Sequence, residues 1–147
     1  MTKLETNRAT VLLFCQRLSD RDFTAMIELA TADATWWVIG RPDYAPYGGL
    51  HKVCDVMQTL DSFVGTLDQF SFTVHSTIAE GDRVVVEATS AGKLGAAIYT
   101  NSYMMRYELR EGKIQSIREF FDGYEIAAYL DQLGVSGSAA FDSLNQP

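Results

Sequence analysis

The spacing of apolar residues changes along the chain from a helical period to a strand period. Near the start, apolar residues recur at i, i+3, i+4 and i+7, which is one face of a helix. These residues are Val11, Phe14, Cys15 and Leu18. Thr6 or Asn7 can cap this helix, and Asp22 begins a second, short one. A third helix carries the apolar residues between Val53 and Val64 on one side.

Short runs of branched, aromatic and alternating residues predict five strands. The predicted strands are 35–39, 69–79, 83–90, 97–110 and 113–122. Turn residues fall at 31–33, 80–82, 92–95 and 111–112, and a loop covers 40–49. Because the last four strands follow one another through short turns, we expect an antiparallel meander. A final helix is expected over 124–133, and 134–147 is a small-residue tail that we expect to be loose.

This order of elements is typical of an α+β domain. The 147 residues are the usual size of one domain, and no repeat or linker divides them. The expected core covers about residues 6–133 of a single domain at 1–147. Aromatic residues make up 12% of the chain, so either the core or an apolar cavity is rich in aromatic rings. We expect a curved antiparallel sheet and N-terminal helices that enclose one internal pocket.

The charge balance argues against several kinds of partner. The net charge is −7, and the longest run of adjacent cations is one residue. Nucleic-acid binding needs a basic patch, and an anionic membrane surface would repel the chain. Residues 1–8 are polar, unlike a signal peptide, and no stretch approaches the roughly 20 apolar residues of a membrane span. We therefore expect a cytoplasmic protein that binds neither nucleic acid nor membrane.

Familiar catalytic motifs are missing from the sequence. It has no Gly-rich phosphate loop, no metal-ligand spacing and no Ser/His/Asp set, so we expect no organic cofactor and no metal site. Cys15 and Cys54 lie among helical apolar residues, and we expect both to be buried, reduced thiols. His51 opens a helix and is expected to be solvated, while His75 lies on the polar face of its strand. We expect neither histidine to be catalytic.

Six short phrases occur in order along the chain. They are Arg21-Asp22-Phe23, Asp33-Ala34-Thr35-Trp36, Tyr47-Gly48-Gly49, Tyr99-Thr100-Asn101-Ser102-Tyr103, Gly112-Lys113-Ile114 and Ile117-Arg118-Glu119-Phe120-Phe121-Asp122. Together they resemble the nuclear transport factor 2-like superfamily, and within it the SnoaL-like proteins of polyketide cyclase and ketosteroid isomerase type. The resemblance implies a cone-shaped, cystatin-like fold with its pocket between sheet and helices. It also implies pairing through the outer sheet face, so we expect a homodimer.

Function does not follow from that resemblance, because the superfamily includes isomerases, epoxide hydrolases, dehydratases, cyclases and non-enzymes. Ketosteroid isomerases use a carboxylate base and an oxyanion hole made by a tyrosine and a protonated aspartate. The resemblance puts Val38 at the base, Phe14 at the tyrosine and Met105 at the aspartate. Proton abstraction beside a carbonyl needs a base and a donor. Steroid isomerisation by that mechanism is therefore not expected.

Limonene-type epoxide hydrolases use an Asp–Arg–Asp set, with a Tyr and an Asn that hold the attacking water. The resemblance matches one of these carboxylates with Glu119. It puts Ala88 and Ser90 at the Arg and the other Asp. Trp36 and Val38 stand at the Tyr and the Asn. Most of the side chains that the epoxide hydrolase mechanism uses are therefore replaced as well.

Two sets of side chains are expected to face inward, from strand alternation and from the resemblance. They are Asn101, Tyr103 and Met105 on one strand and Ile117, Glu119 and Phe121 on the last. Trp36 is expected to line the pocket and Trp37 to face the other side, with simple core packing as the alternative for each. Arg106, Arg118 and Glu87 would then point outward, where we expect cross-strand ion pairs.

Glu119 is the strongest candidate for chemistry. A carboxylate that faces an apolar cavity has its pKa raised by desolvation, which suits it to general acid or base work near neutral pH. Asn101 and Tyr103 could hold Glu119 or a substrate oxygen. An equally weighted alternative is a structural hydrogen-bond network that satisfies a buried acid.

The sequence therefore predicts a protein that binds a small and largely apolar molecule. If the protein is an enzyme, it also converts that molecule. The reaction would be isomerisation, cyclisation, dehydration or hydrolysis without an organic cofactor. Glu119 would be the acid/base, with Asn101 and Tyr103 orienting the substrate. The candidate pocket-lining residues are Trp36, Val38, Phe14, Met105 and Phe121. The alternative is a non-catalytic ligand-binding or dimerisation module of the same fold.

Overall fold

The computed structural model describes residues 1–135 and contains four helices, one 3-10 turn and six strands within them. The helices are α1 (Lys3–Ser19), α2 (Phe23–Glu28), α3 (Val53–Phe63) and α4 (Gly123–Gln132), and the 3-10 turn is Val64–Thr66. The strands are β1 (Ala30–Val38), β2 (Gly49–Lys52), β3 (Gln69–Glu80), β4 (Arg83–Leu94), β5 (Ala97–Arg110) and β6 (Lys113–Phe121). Most of the predicted loose tail, 136–147, lies outside the described residues.

The six strands form one curled, open sheet in the order β2-β1-β6-β5-β4-β3. The α+β class is confirmed, and so is the meander, since β3 to β6 pair antiparallel in sequence. The sheet is not wholly antiparallel, however, because β1 lies parallel to β6. That parallel pair places Val38 opposite Glu119, and this register builds the centre of the candidate site.

The first two strands differ from the predicted ones. β1 begins at Ala30 and takes in the predicted turn at 31–33. Ala30 pairs with Ile114, and a register shift before Thr35 absorbs the irregular residues between them. The pattern does not predict β2, because it is four residues long and continues a loop rich in Gly, Pro and Tyr. It becomes a strand by antiparallel pairing with β1.

β4 runs on to Leu94, through most of the turn predicted at 92–95. Gly92 pairs within the sheet, and the Leu67 side chain approaches to 2.7 Å of the point where a Cβ would stand. The glycine therefore serves close packing against the segment before β3 and does not break the strand.

Helix α1 begins earlier than its apolar face predicts. Thr2 accepts a hydrogen bond from the backbone N–H of Glu5, and the Glu5 carboxylate accepts one from the backbone N–H of Thr2. This capping box satisfies two of the free donors at the helix start. The predicted caps, Thr6 and Asn7, lie inside the helix instead, and Asn7 is buried.

An aromatic core lies behind the pocket. The Phe14 ring is fully buried, with its centroid 6.0 Å from that of Trp36 and 5.8 Å from that of Tyr107. Burying one such side chain contributes about 1.5–3 kcal/mol, and each aromatic pair adds about 0.5–1.5 kcal/mol. Helix α1 is thereby fixed against the sheet, and the Trp36 ring is held from behind.

Helix α3 buries a narrower face than the sequence pattern indicates. Val53 and Met57, four residues apart, are buried. Cys54 follows Val53 by one residue, about 100° around the helix, and it is exposed. The prediction of two buried cysteines is therefore wrong for Cys54 and confirmed for Cys15.

The outer face of the sheet carries aromatic residues where ion pairs were expected. The guanidinium of Arg118 lies 4.0 Å from the centroid of the Trp37 ring, and Phe120 packs on the same ring. Arg106 pairs with Glu108 of its own strand, at 3.9 Å. Glu87 accepts a hydrogen bond from Ser76 of the neighbouring strand. The cross-strand ion pairs predicted for Arg106, Arg118 and Glu87 are wrong.

Helix α4 covers one end of the sheet through a second apolar cluster. Its buried members are Leu67, Ala97, Tyr99, Tyr129 and Leu130. In addition, the Gln132 side chain bonds both backbone groups of Ile98, which tethers α4 to β5. Of the helices formed by residues 1–135, none is long and apolar enough to cross a membrane.

Candidate functional site

A cavity of about 290 Å³ lies between the inner sheet face, α3 and α4. Its wall is mostly aliphatic and aromatic, with a few polar groups, which is the usual composition of a small-molecule site. Residues that the sequence predicted for the pocket and that line it are Trp36, Val38, Tyr103, Glu119 and Phe121. The structure therefore brings together the acid, the tyrosine and three of the five predicted lining residues.

Glu119 projects from β6 into this cavity, as strand alternation predicts. Its side chain is half-buried among apolar neighbours. Desolvation raises the pKa of Glu119 to about 7, and the neighbouring indole N–H of Trp36 opposes that rise by favouring the charged form. Protonated and ionised forms are therefore both present near neutral pH, so the group can give or take a proton.

Trp36 stands next to Glu119 on the neighbouring parallel strand. Its side chain is 1% exposed, and its indole nitrogen has no partner in hydrogen-bonding geometry. The N–H is thus close enough to Glu119 to lower its pKa but does not close a hydrogen bond with the carboxyl group. Trp37, the next residue, faces the outer side of the sheet, as expected.

Tyr103 belongs to a chain of hydroxyl groups along the sheet side of the cavity. Its hydroxyl lies 2.9 Å from Ser90 Oγ and 3.1 Å from the Tyr99 hydroxyl. Burial raises the pKa of Tyr103 well above its ordinary value, and charges on Tyr99 and Glu119 would raise it further. Burial also raises the pKa of Tyr99 to about 12. Both hydroxyls therefore stay protonated and act as hydrogen-bond donors at neutral pH.

Asn101 does not line the cavity; its side chain ties β5 to the junction of β6 and α4. Its Nδ2 donates to the Tyr99 hydroxyl (3.0 Å) and to the Asp122 carbonyl (3.1 Å). Its Oδ1 accepts from the backbone N–H of Ser102 (2.8 Å) and of Asp122 (3.0 Å). An asparagine amide with four such bonds has little capacity left for a ligand. Its link to the pocket runs through Tyr99 to Tyr103.

Phe14 and Met105 do not reach the cavity either. Phe14 is 0% exposed and Met105 is 1% exposed, and both lie in the layer behind Trp36. The Tyr107 hydroxyl is 3.5 Å from Met105 Sδ, and the same hydroxyl is 3.5 Å from Cys15 Sγ. Both residues face inward, but the Phe14 ring of α1 packs on Trp36 and Tyr107, in the core cluster that also contains Met105, and so fills the space that a ligand would need.

Three polar residues that line the cavity rim were not predicted as site residues from the sequence. Tyr47 comes from the loop after β1, His51 from β2 and Asp55 from α3. Burial, and then the charge of Glu119, raises the pKa of Tyr47. His51 Nε2 lies 2.9 Å from the Tyr47 carbonyl oxygen and 3.2 Å from that of Gly48. Since both neighbours are acceptors, Nε2 carries the hydrogen and fastens the loop over the cavity.

The Tyr- and Gly-rich loop at 40–49 was the feature of the sequence that could have indicated these rim residues. The position of this loop over the cavity depends on β2, which the pattern does not predict. His51 is half-buried and lines the cavity, so the expectation that it is solvated is wrong. His75 is exposed on the outer face, 2.7 Å from Thr89 Oγ1, far from the pocket side of the sheet.

A second, larger groove of about 890 Å³ is open to solvent beside Met104 and Tyr124. Its two carboxylates are already engaged. Glu87 accepts from a serine of β3, and Asp122 accepts from the backbone N–H of Tyr124 as the cap of α4. The inner cavity is the better candidate because it combines enclosure with a carboxyl group of raised pKa. Over residues 1–135, no three His, Cys, Asp or Glu side chains cluster as metal ligands would.

Comparison with solved structures shows the same architecture at low sequence identity. PrhC from Penicillium brasilianum NBRC 6234 is similar with a TM-score of 0.80 and 14% identity, covering 97% of each chain. TerC, co-crystallised with polyporic acid, has a TM-score of 0.73 and 20% identity, covering 86% of this chain and 98% of its own. An M. tuberculosis LEH-like epoxide hydrolase has a TM-score of 0.71 and 20% identity, covering 90% of this chain and 96% of its own.

These likenesses establish a fold that hosts several activities, and they do not transfer any one of them. No curated protein matches the chain in sequence. A family model described as the SnoaL-like domain matches residues 11–117, from the middle of α1 to the middle of β6. This match spans more than half of the sequence, and the chain therefore belongs to the SnoaL-like domain family.

Proposed function

We propose that the protein binds a small, largely apolar molecule in the inner cavity and converts it with Glu119 as the acid/base. The observation that carries this proposal is the setting of Glu119. It is a carboxyl group in an enclosed, largely apolar cavity, with a pKa of about 7. Such a group exchanges a proton with a ligand at neutral pH more readily than an exposed glutamate does.

The reaction class follows from what the cavity supplies. Proton transfer alone supports isomerisation, cyclisation, dehydration or hydrolysis, so the proposed conversion uses no organic cofactor. The likeness to a structure co-crystallised with polyporic acid and to an LEH-like epoxide hydrolase supports a small-molecule role. Both structures are 20% identical in sequence to this chain.

Tyr103 and Asn101 have different parts in this proposal. The Tyr103 side chain lines the cavity and its hydroxyl stays protonated, so it can donate to a ligand oxygen. Asn101 is a positioning residue, because it acts on Tyr103 only through the Tyr99 hydroxyl. Val38 and Phe121 form the apolar wall beside Glu119.

A thermal-shift screen of lipophilic ketones, epoxides and polyketides tests the binding step, and mass spectrometry of incubated hits tests conversion. Glu119→Gln keeps the shape of the side chain but removes the titrating proton. We expect this variant to bind the hits and to lose turnover by about 100-fold or more. Glu87→Gln, on the outer face, is the matched control and should keep full turnover.

Three results would contradict the proposal at different points. Binding without conversion in the wild type would leave a non-catalytic ligand-binding module, in which Glu119 is structural. If no apolar compound stabilises the protein, the cavity is not a ligand site. Retained turnover in Glu119→Gln would assign the chemistry to another group.

We also propose that the protein is a homodimer through the outer sheet face. Met104 is 50% exposed and Phe120 is 40% exposed on that face. Burying such side chains between two copies would be favourable. Light scattering after size exclusion should give twice the 16.3 kDa chain mass, and Met104→Glu should shift the protein toward the monomer. A wild-type monomer would contradict the dimer without affecting the pocket proposal.

A further inference from the structure

Aromatic rings surround the carboxyl group of Glu119. Of the twenty residues that line the cavity, eight have aromatic side chains. The Phe121 ring packs on Tyr47 and on Tyr103, with centroid distances of 5.4 Å and 6.3 Å. Burial is the main cause of the raised pKa of both tyrosines, and the charge of Glu119 contributes to each. Both phenols are therefore within electrostatic reach of the carboxyl group.

Glu119 has no lysine or arginine partner in the cavity. Among the residues that the structure describes, those that line the cavity include no Lys or Arg. The neighbouring Trp36 N–H favours the charged form of Glu119 but carries no net charge itself. A buried carboxylate is costly unless a cation offsets its charge. A cationic ligand would supply that charge, whereas an anionic ligand would add to the cost.

Other features of the chain also favour a cation. Asp55 stands at the cavity rim as a second carboxyl group, and the net charge of the chain is −7. Such a charge distribution attracts cations and repels anions. The face of an aromatic ring attracts a cation as well, and the attraction grows when both are removed from water. Aromatic rings beside a carboxyl group therefore match the chemistry of an alkylammonium ion.

We propose that the ligand is a small alkylammonium compound whose nitrogen lies beside Glu119 and against the rings of Tyr103 and Phe121. Its alkyl or aryl groups would fill the apolar remainder of the cavity, which has a volume of about 290 Å³. The inference rests on the proposed function, because it places the ligand in the same cavity and adds its charge. It also makes Glu119 a base, since a cation beside a carboxyl group favours the ionised form.

Matched pairs of a cation and its neutral isostere test the charge directly. The pairs are choline with 3,3-dimethylbutan-1-ol, and [4-(hydroxymethyl)phenyl]trimethylammonium with 4-tert-butylbenzyl alcohol. In each pair, carbon replaces the charged nitrogen at nearly constant shape, and the quaternary nitrogen has no N–H to donate. Isothermal titration calorimetry of the wild type at pH 8 should show that each cation binds about tenfold more tightly than its isostere.

The preference for cations should depend on pH. Because the bound cation pairs with ionised Glu119, affinity for each cation should fall about fivefold from pH 8 to pH 6, while affinity for its isostere stays constant. The other titratable groups that line the cavity are Tyr47, Tyr99, Tyr103, His51 and Asp55. Glu119→Gln retains all of them. It should lose the preference and its pH dependence but bind the neutral isosteres as the wild type does.

Two further variants distinguish a charge effect from a change in the fold. Phe121→Leu keeps an apolar side chain but removes one ring, and it should weaken cation binding about threefold relative to the isostere. This variant gives an independent readout if Glu119→Gln folds poorly. Glu87→Gln removes a carboxyl group on the outer sheet face, and it should change neither the preference nor its pH dependence.

The outcomes separate this inference from the proposal on which it rests. Equal binding of cation and isostere overturns the alkylammonium assignment and leaves the apolar pocket standing. A preference that survives in both Glu119→Gln and Phe121→Leu would place the cation at Asp55 on the rim and overturn the site assigned to it. If none of the four compounds binds, the inference is wrong, and the screen of neutral lipophilic compounds decides the pocket proposal separately.

Discussion

Trp36 and Glu119 project from neighbouring parallel strands into one cavity, and the N–H of the first stands beside the carboxyl group of the second. The two residues are 83 positions apart in sequence. The parallel β1–β6 pair brings them together. Glu119 supplies a proton that is exchangeable near neutral pH, and the Trp36 N–H limits the rise of its pKa. The cavity thus contains an acid/base group whose pKa is set by burial and by its neighbour on β1.

Stability should depend on pH through Glu119. Its pKa is raised from 4.5 to about 7 on folding, so the folded state holds a proton that the unfolded state has released between these values. The free energy of unfolding therefore falls as pH rises through this window. Above about pH 8 we expect Glu119→Gln to be more stable than the wild type by about 2–3 kcal/mol.

Urea unfolding at pH 4, 6 and 8 would measure this difference. Tyr47, Tyr99 and Tyr103 face Glu119, but each has its pKa raised above the ordinary value of 10, so none titrates in this window. His51 and Asp55 line the same cavity in both proteins and cancel in the comparison. A stability difference that stays constant from pH 4 to 8 would show that Glu119 is not desolvated.

Removing the Tyr103 hydroxyl should cost stability. Tyr103→Phe breaks the bonds to Ser90 and Tyr99 and leaves the buried Ser90 hydroxyl unpaired. We expect a loss of about 1–2 kcal/mol in the free energy of unfolding. Tyr124→Phe is the matched control, because Tyr124 is 88% exposed and should change stability by less than about 0.5 kcal/mol. Equal effects of the two variants would mean that the hydroxyl chain does not stabilise the fold.

Asn101→Ala should lower the free energy of unfolding more than Tyr103→Phe does, since it removes four hydrogen bonds at the junction of β6 and α4. We expect a loss of about 3 kcal/mol or more, because the Asp122 backbone groups lose their partners as well. Hydrogen exchange should accelerate at the start of α4 in particular. Ser102→Ala, at an exposed neighbouring position, is the control. A fully stable Asn101→Ala protein with weakened ligand binding would instead indicate direct contact with the ligand.

The loop over the cavity depends on a glycine. A Cβ on Gly48 would collide with the Gly40 carbonyl oxygen, so Gly48→Ala must move the loop that carries Tyr47. We expect a loss of about 1–3 kcal/mol in stability and weaker binding of cavity ligands. Gly81→Ala, in the turn between β3 and β4, is the control: its positive φ makes the substitution strained, but no atom lies within 4 Å of the added methyl group, so ligand affinity should be unchanged. Unchanged ligand affinity in Gly48→Ala would show that the loop does not contribute to the site.

Strand periodicity predicts much of this molecule. The limits of β5, Ala97–Arg110, agree with the prediction because a long alternating run ends at clear turn residues. The same alternation correctly turns Glu119, Tyr103 and Trp36 toward the cavity. These are local properties, fixed by a period of two along a single strand.

Features that depend on distant contacts could not be predicted in this way. The parallel pairing of β1 with β6 is a choice between strands that are far apart in sequence. The four bonds of Asn101 require the backbone of Asp122 at a fixed position. Phe14 and Met105 have the inward orientation that the pattern indicates, but only three-dimensional packing reveals that both lie in the core between α1 and the sheet and not at the cavity.

The most direct test of this account is a ¹³C NMR titration of the Glu119 side-chain carboxyl carbon, identified by its absence in Glu119→Gln. We expect a midpoint near pH 7, because an enclosed apolar cavity raises the pKa of that group. A midpoint near the ordinary value of 4.5 would contradict it, since Glu119 would then be a solvated carboxylate without the proton that the proposed chemistry requires.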